Sequence, residues 1–435
     1  MAEIHPFRGV RYNQGLVKDL AEVICPPYDI ITLQLQSALY HRSAYNFVQL
    51  EFGRESPQDT ATDNRYTRSA ATLEQWLEQG ILAADKTPAI YLHDHYFSYG
   101  GREYKRRGAV AAVRLEEWDK MVVRPHEGTL VEHKSDRLSL LWALQANTSP
   151  ILALFDDRGG RVSSLLAEQE QSQPVISLSG EEGHRVWAIT EPKTIEKLSA
   201  SLIHQPLYIA DGHHRYESAL TYQRERRACS SLSGDEGFNF VMMTLVAFSD
   251  PGLLILPPHR LLRGLSRATL SQLAADLRSF FEVEELPLSA PGVWQQVDDL
   301  LSGEETGEVR LVAFGATEGS LLLLRLRDPA AASELMPYFH SERYKKLNVS
   351  VLDHVILEKF LGVGGGREEA SLGYTYSRED AVNRVVEREY QVAFLLSPVK
   401  PPVIKAIADA GDRMPRKSTY FYPKAPAGLV LHRLI

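Results

Sequence analysis

The sequence predicts an α/β (α+β) protein. Strand-length apolar runs alternate with segments of helical periodicity, and glycine, proline and acidic residues punctuate them throughout. Composition agrees: 44% hydrophobic and 24% charged residues over 435 positions suit a chain of two or three folded regions and exclude wholesale disorder.

The elements follow in chain order. Cys25-Pro26-Pro27-Tyr28-Asp29 is turned or extended, because each proline disfavours helix at the residue before it. Asn46–Phe52 alternates like a half-buried strand. Ala70, Leu73, Trp76 and Leu77 fall at helical spacing and predict a helix over 66–79 that stops at Gly80. Ala89–Tyr99 and Arg107–Leu115 read as a hairpin turning at Gly100-Gly101. A helix over 135–146 and a strand over 150–155 come next. The polar stretch 156–183 reads as a surface excursion holding one short helical segment. The strand Leu207–Ala210 then leads into Asp211-Gly212-His213-His214-Arg215 and a helix from about Tyr216 to Ala228. Beyond it, strands are predicted over 239–248, 309–314, 320–325 and 391–396, and helices over 267–281, 293–301, 352–361 and 378–388. Three regions result: 1–118, a motif-bearing 119–235, and 236–435 with a basic aromatic end segment.

A net charge of −8 argues against a general polyanion-binding surface, although one local basic site remains compatible with it. Two cysteines, Cys25 and Cys229, supply no disulfide framework and no multi-cysteine metal site. The amino-terminal residues lack the basic start and apolar stretch of a secretory signal, and no run approaches the roughly 18 apolar residues of a membrane span. The expectation is a cytoplasmic protein that is not membrane-bound.

Several constellations bear on chemistry. In Asp211-Gly212-His213-His214-Arg215, polar groups stand at a strand-to-helix junction, where free backbone N–H groups and the helix dipole favour an anion. Gly212 permits close backbone approach, and Arg215 adds a fork for phosphate or carboxylate. The plainer alternative is an N-cap at Asp211 with solvated histidines. Pro125-His126-Glu127 precedes Gly128, so the Glu127 carboxylate suits an open cleft as a general base or cation ligand; a solvated turn is the alternative. Thr129, Glu132, His133, Lys134, Asp136 and Arg137 follow closely. Arg416, Lys417 and Ser418, followed by Tyr420, Phe421 and Tyr422, suit phosphate contact and stacking, single-stranded nucleic acid, or a lysine-guarded edge strand. His93-Asp94-His95 puts two imidazoles on one strand face, spaced for a metal, but a two-histidine strand without further ligands reads first as an exposed edge. Gly362-Val363-Gly364-Gly365-Gly366 matches no phosphate-loop pattern and reads as a flexible loop.

Taken together, His5-Pro6-Phe7-Arg8-Gly9, Cys25-Pro26-Pro27-Tyr28-Asp29, Pro125-His126-Glu127, Asp211-Gly212-His213-His214-Arg215 and the Met414–Lys424 ending resemble the family called domain of unknown function 1015, over nearly the whole chain. The strand–Asp-Gly-His-His-Arg–helix element is also similar to the second motif of the ParB/sulfiredoxin superfamily. Free-serine kinases of that superfamily carry a Pro-His-Glu element as well. The resemblance implies a mixed-sheet ParB/sulfiredoxin-like core with large additional α/β regions. Sulfiredoxins need a cysteine where this chain has His213, which disfavours their chemistry. Partition proteins pair a Gly-Glu-Arg-Arg version with a helix-turn-helix that is not evident here.

The implied function is a small-molecule kinase acting on a hydroxyl, that of free L-serine, with ATP or ADP and Mg²⁺. In that reading Glu127 is the base, Asp211 orients Mg²⁺ or the substrate amine, and Asp211 and His213 count with Glu127 as catalytic. Gly212, His214 and Arg215 hold phosphates, His126 and Lys134 contact substrate, and Arg416, Lys417 and Ser418 close over the phosphates. The alternatives are a nucleotide-binding regulator of the partition-protein type and a nucleic-acid binder using the basic end segment. Oligomeric state is left open.

Overall fold

A computed structural model describes residues 1–128, 131–229, 234–302, 308–364 and 371–435, with the backbone alone at 131–133. Thr129, the side chains of Glu132 and His133, and Gly365 and Gly366 of the glycine cluster therefore lie outside the described residues. The chain is α/β with a mixed parallel and antiparallel main sheet and forms two units. The first comprises Met1–Pro125, Thr129–Leu254 and Pro423–Ile435; the second comprises His126–Gly128 and Ile255–Tyr422.

The first unit is organised by the predicted hairpin, Ile90–Tyr99 and Arg102–Arg114, which turns at Gly100 and Gly101 with φ of 57° and 75°. Around it lies a nine-stranded sheet in the order 123–124, 207–211, 151–155, 240–247, 102–114, 90–99, 183–189 and 176–178, with 4–5 pairing on 102–114. Strands from either side of residues 118 and 235 thus bond within one sheet. Parallel pairing joins 151–155 to 240–247, and the hairpin is antiparallel, which makes the sheet mixed.

Apolar residues cover both faces. On one, Ala111, Ile151, Ile209 and Met243 pack with Tyr216 and Leu220 of the helix His213–Ala228. On the other, Tyr91, Val110 and Met242 meet Leu39, Leu73, Trp76 and Leu431. Phe240–Ala247 is therefore buried along its whole length, as a central strand between two helical layers should be. A second sheet, of four strands, has the order 82–84, 9–12, 431–433 and 146–147.

Three local readings change. Asn46–Phe52 is no strand: Val48–Glu51 is helical, because the Asn46 carboxamide accepts the Val48 N–H at 3.0 Å and starts a turn. Burial of Phe47, Val48, Leu50 and Glu51 then follows helical rather than two-residue spacing. The stretch 156–183 holds the helix Arg161–Glu168 and also an edge strand, Ile176–Leu178, that pairs with Gly183–Ile189. The last helix of the motif region begins at His213, three residues earlier than its periodicity suggests, because Gly212 turns the chain directly into it.

In the second unit an antiparallel sheet runs 281–287, 320–326, 310–314, 392–395, 259–262 and 372–375. The helices Val293–Ser302 and Arg378–Val386 set Val297, Leu300, Ala381 and Val382 against its Val312, Phe314 and Leu323. Among the described residues no helix is long and apolar enough to cross a membrane.

Candidate functional site

Within the first unit, strand Leu207–Asp211 ends at a glycine that must turn left-handed: Gly212 has φ +93° and caps the sixteen-residue helix His213–Ala228. A Cβ there would lie 2.9 Å from Arg215 Nε. The absence of a side chain at 212 thus lets the Arg215 guanidinium fold back over the turn. Its NH2 donates to Asp211 Oδ2 at 2.7 Å, and its NH1 donates to Pro150 O at 2.6 Å and Ser149 Oγ at 3.1 Å. Arg215 Nε is buried without a hydrogen-bond partner.

The other oxygen of Asp211, Oδ1, is met by the Lys424 ammonium, which also lies 3.4 Å from Asp29 Oδ2. Burial opposes ionisation of Asp211, but the Lys424 and Arg215 cations overcome it and hold the carboxyl below its ordinary range. Burial likewise disfavours the Arg215 cation, and Asp211 and Asp29 outweigh it.

Behind this pair lies a second buried layer. Glu51 is fully buried; its Oε1 accepts from Ser149 Oγ at 3.1 Å, and its Oε2 has no hydrogen-bond partner. Arg137 NH1 approaches Glu51 Oε1 at 3.8 Å, and the Arg137 guanidinium lies 3.9 Å above the Tyr28 ring. The turn is thus an alternating array of carboxylates and cations at a helix start. His213 is buried, His214 is half-buried, and Lys134 pairs with Glu217 at 3.1 Å.

Within the second unit, Glu127 forms an isolated bridge with Met414. Its Oε1 accepts from Ser418 N at 3.1 Å, Thr419 N at 2.9 Å and Thr419 Oγ1 at 2.8 Å. The two successive amides are aligned because Lys417 takes a left-handed φ of 57°, making a small anion cradle that the Glu127 carboxylate fills. Arg260, itself buried, donates to Lys417 O at 2.8 Å and fixes the same turn from its carbonyl side.

Arg416 and Lys417 are exposed on this turn, whereas Ser418 is buried and donates its hydroxyl to Pro415 O. His126 is fully buried, with Nε2 2.9 Å from Thr419 Oγ1. His126 and Ser418 thus present little or no surface to a ligand in this conformation.

A family model described as a protein of unknown function, DUF1015, matches residues 4–354. The chain belongs to the DUF1015 family.

Among curated proteins none matches this DUF1015 chain. Solved structures similar to it include a free serine kinase variant in complex with AMP, at 14% identity and a TM-score of 0.36, covering 74% of this chain and 92% of that one. A conserved hypothetical protein from Pyrococcus furiosus follows at 14% identity and 0.34, covering 74% and 95%. A C-terminally truncated SbnI from Staphylococcus aureus stands at 13% and 0.33, covering 74% and 87%.

In this DUF1015 protein the Asp211–Arg215 turn also gathers residues that the sequence did not single out as site residues: Asp29, Glu51, Ser149 and Lys424. Asp29 and Lys424 belong to motifs quoted for the family resemblance, which is the signal that was available for them. Glu51 carried none, since its segment read as a strand.

Proposed function

We propose that the chain is a phosphotransferase that moves a phosphoryl group from ATP or ADP to a hydroxyl, with free L-serine as acceptor. The observation that supports it best is the Asp211–Gly212–Arg215 turn, where a left-handed glycine, a helix start and two partly buried cations stand together. In this reading Gly212, His213, His214 and Arg215 bind the nucleotide phosphates, exchanging part of the Asp211 contact for the ligand. Asp211 is the counter-ion that keeps Lys424 and Arg215 in place beforehand.

Glu127 is the base. Its Oε1 is anchored by three donors, and Oε2 takes the hydroxyl proton. The acceptor oxygen bonds to phosphorus, the bond from phosphorus to the bridging oxygen breaks, and ADP or AMP leaves. The choice of serine rests on the Pro-His-Glu and Asp-Gly-His-His-Arg resemblance.

Both oxygens of Asp211 already face cations, so the residues as arranged do not fit a resident Mg²⁺ on that carboxylate. Mg²⁺ therefore belongs to the nucleotide substrate in this reading.

The test is transfer of labelled phosphate from ATP or ADP to serine by the purified full chain. Turnover lost in Glu127→Gln, with nucleotide binding retained, is the expected result; unchanged turnover in that variant, or no product with any hydroxyl acceptor, refutes it. The extensive anchoring of Glu127 favours one alternative, a nucleotide-binding regulator in which that carboxylate only braces the 414–419 turn. Calorimetric nucleotide binding without product would select it.

A further inference from the structure

His93 and His95 are not on an exposed edge. They lie on a strand paired on both sides and are 6% and 1% exposed. The antiparallel register sets His184 directly opposite His95, with ring centroids 4.2 Å apart. Glu182, just before strand Gly183–Ile189, places Oε2 2.7 Å from His95 Nε2. Among the described residues, one ligand atom each from His95, Glu182 and His184 lies within 4.8 Å of the others.

We propose that His95, Glu182 and His184 form a binding site for a divalent transition metal of the nitrogen-preferring class, Zn²⁺ or Co²⁺, with ligands distinct from the residues of the Asp211 turn.

Three features carry this. First, the ligand set is two imidazoles and one carboxylate, a donor set that suits zinc with further positions left for solvent. Second, the outer partners are in place: His93 Nε2 lies 3.1 Å from His184 Nδ1. When His184 donates that N–H to His93, its Nε2 presents a lone pair, the usual way a second partner orients a ligating histidine. Third, there is a way in, because the Glu182 side chain is 41% exposed while both imidazoles are buried.

Arg106 sets the character of the site. Its NH2 lies 3.1 Å from His95 Nδ1 and also donates to Pro423 O at 2.7 Å. A metal on His95 Nε2 moves that nitrogen's proton to Nδ1, so Arg106 must give up this contact. The guanidinium repels every divalent cation alike, so imidazole coordination is what favours transition metals over hard cations here. Because binding costs the Arg106 contact with His95, the proposed site is an exchangeable one.

The experiment titrates chelator-treated full chain with Co²⁺, followed by visible absorption, and then displaces it with Zn²⁺. One Co²⁺ per chain is expected, with affinity falling at least tenfold in Glu182→Gln and in His184→Ala. Far-UV circular dichroism is expected to be unchanged by chelation. Glu182→Gln, at a half-exposed carboxylate, keeps the test valid if His184→Ala does not fold. Substoichiometric Co²⁺ uptake, or equal affinity in wild type and Glu182→Gln, overturns the proposal.

Discussion

Replacing Lys424 with methionine tests whether the Asp211 turn is held by buried charge. The ammonium sits between Asp211 and Asp29, and the three side chains are 10%, 19% and 28% exposed respectively. At the 3.4 Å separation from Asp29, and an effective dielectric constant of about 20, the gross attraction is about 5 kcal/mol. Desolvation of the ammonium cancels much of this in the intact protein. Methionine removes the cation, leaving Asp29 without this partner and Asp211 with Arg215 alone, and losing one partner of a buried pair costs about 3–5 kcal/mol. Partial exposure of Asp29 puts the expected loss near the lower end, at about 3 kcal/mol.

Four of the five tryptophans, Trp76, Trp118, Trp142 and Trp187, belong to the first unit, so urea unfolding followed by tryptophan fluorescence reports on it. Adding Asp29→Asn to Lys424→Met removes one stranded charge and is expected to recover about 1–2 kcal/mol. A single variant within about 0.5 kcal/mol of wild type, or a double variant no more stable than the single one, would refute the charge-locked reading.

Two further outcomes follow, one from the same turn and one from the second unit. Gly212→Ala forces a Cβ into a left-handed position 2.9 Å from Arg215 Nε, so stability falls and nucleotide binding weakens with it. The backbone cost alone is about 1–2 kcal/mol, read by urea unfolding, and an unchanged midpoint would contradict it. His259, buried and beside Arg260 and Arg378, is pushed down to about 4, and its neutral Nδ1 accepts from Leu396 N at 3.1 Å. Because the folded value lies below the unfolded one of about 6.5, this group costs nothing above neutral pH. Stability is lost as pH falls from about 6.5 towards 4, by about 2 kcal/mol at pH 5. His259→Gln is expected to lose about that much less between pH 7 and pH 5, and equal losses in both proteins would exclude the assignment.

Local chemistry was legible in the sequence wherever a single residue decides the backbone. Gly100-Gly101 marked the hairpin, and Asp211-Gly212 marked the turn into the last helix of the motif region. The helix Val48–Glu51 was hidden because its cause is one Asn46 side-chain hydrogen bond, which competes with an alternating apolar pattern. Long-range placement was hidden for a different reason. Glu127 meets Ser418 and Thr419 across some 290 positions, and Lys424 reaches Asp211 across 213, separations over which no periodicity carries information. The same holds for the histidines: spacing put His93 and His95 on one face, but only strand register brings His184 and Glu182 to them.

The strand Leu431–Arg433 bears on how the protein is made. It pairs with Gly9–Tyr12 on one side and Ala146–Asn147 on the other, and Lys424 lies just upstream of it. Synthesis delivers the whole of 255–422 before these residues emerge, so the first unit must wait, unfinished, while the inserted portion is translated. A ribosome that stops short of residue 424 releases a chain whose Asp211 has lost one of its two counter-ions. The full set of contacts on the Asp211 turn therefore forms only after the chain has been translated through residue 424.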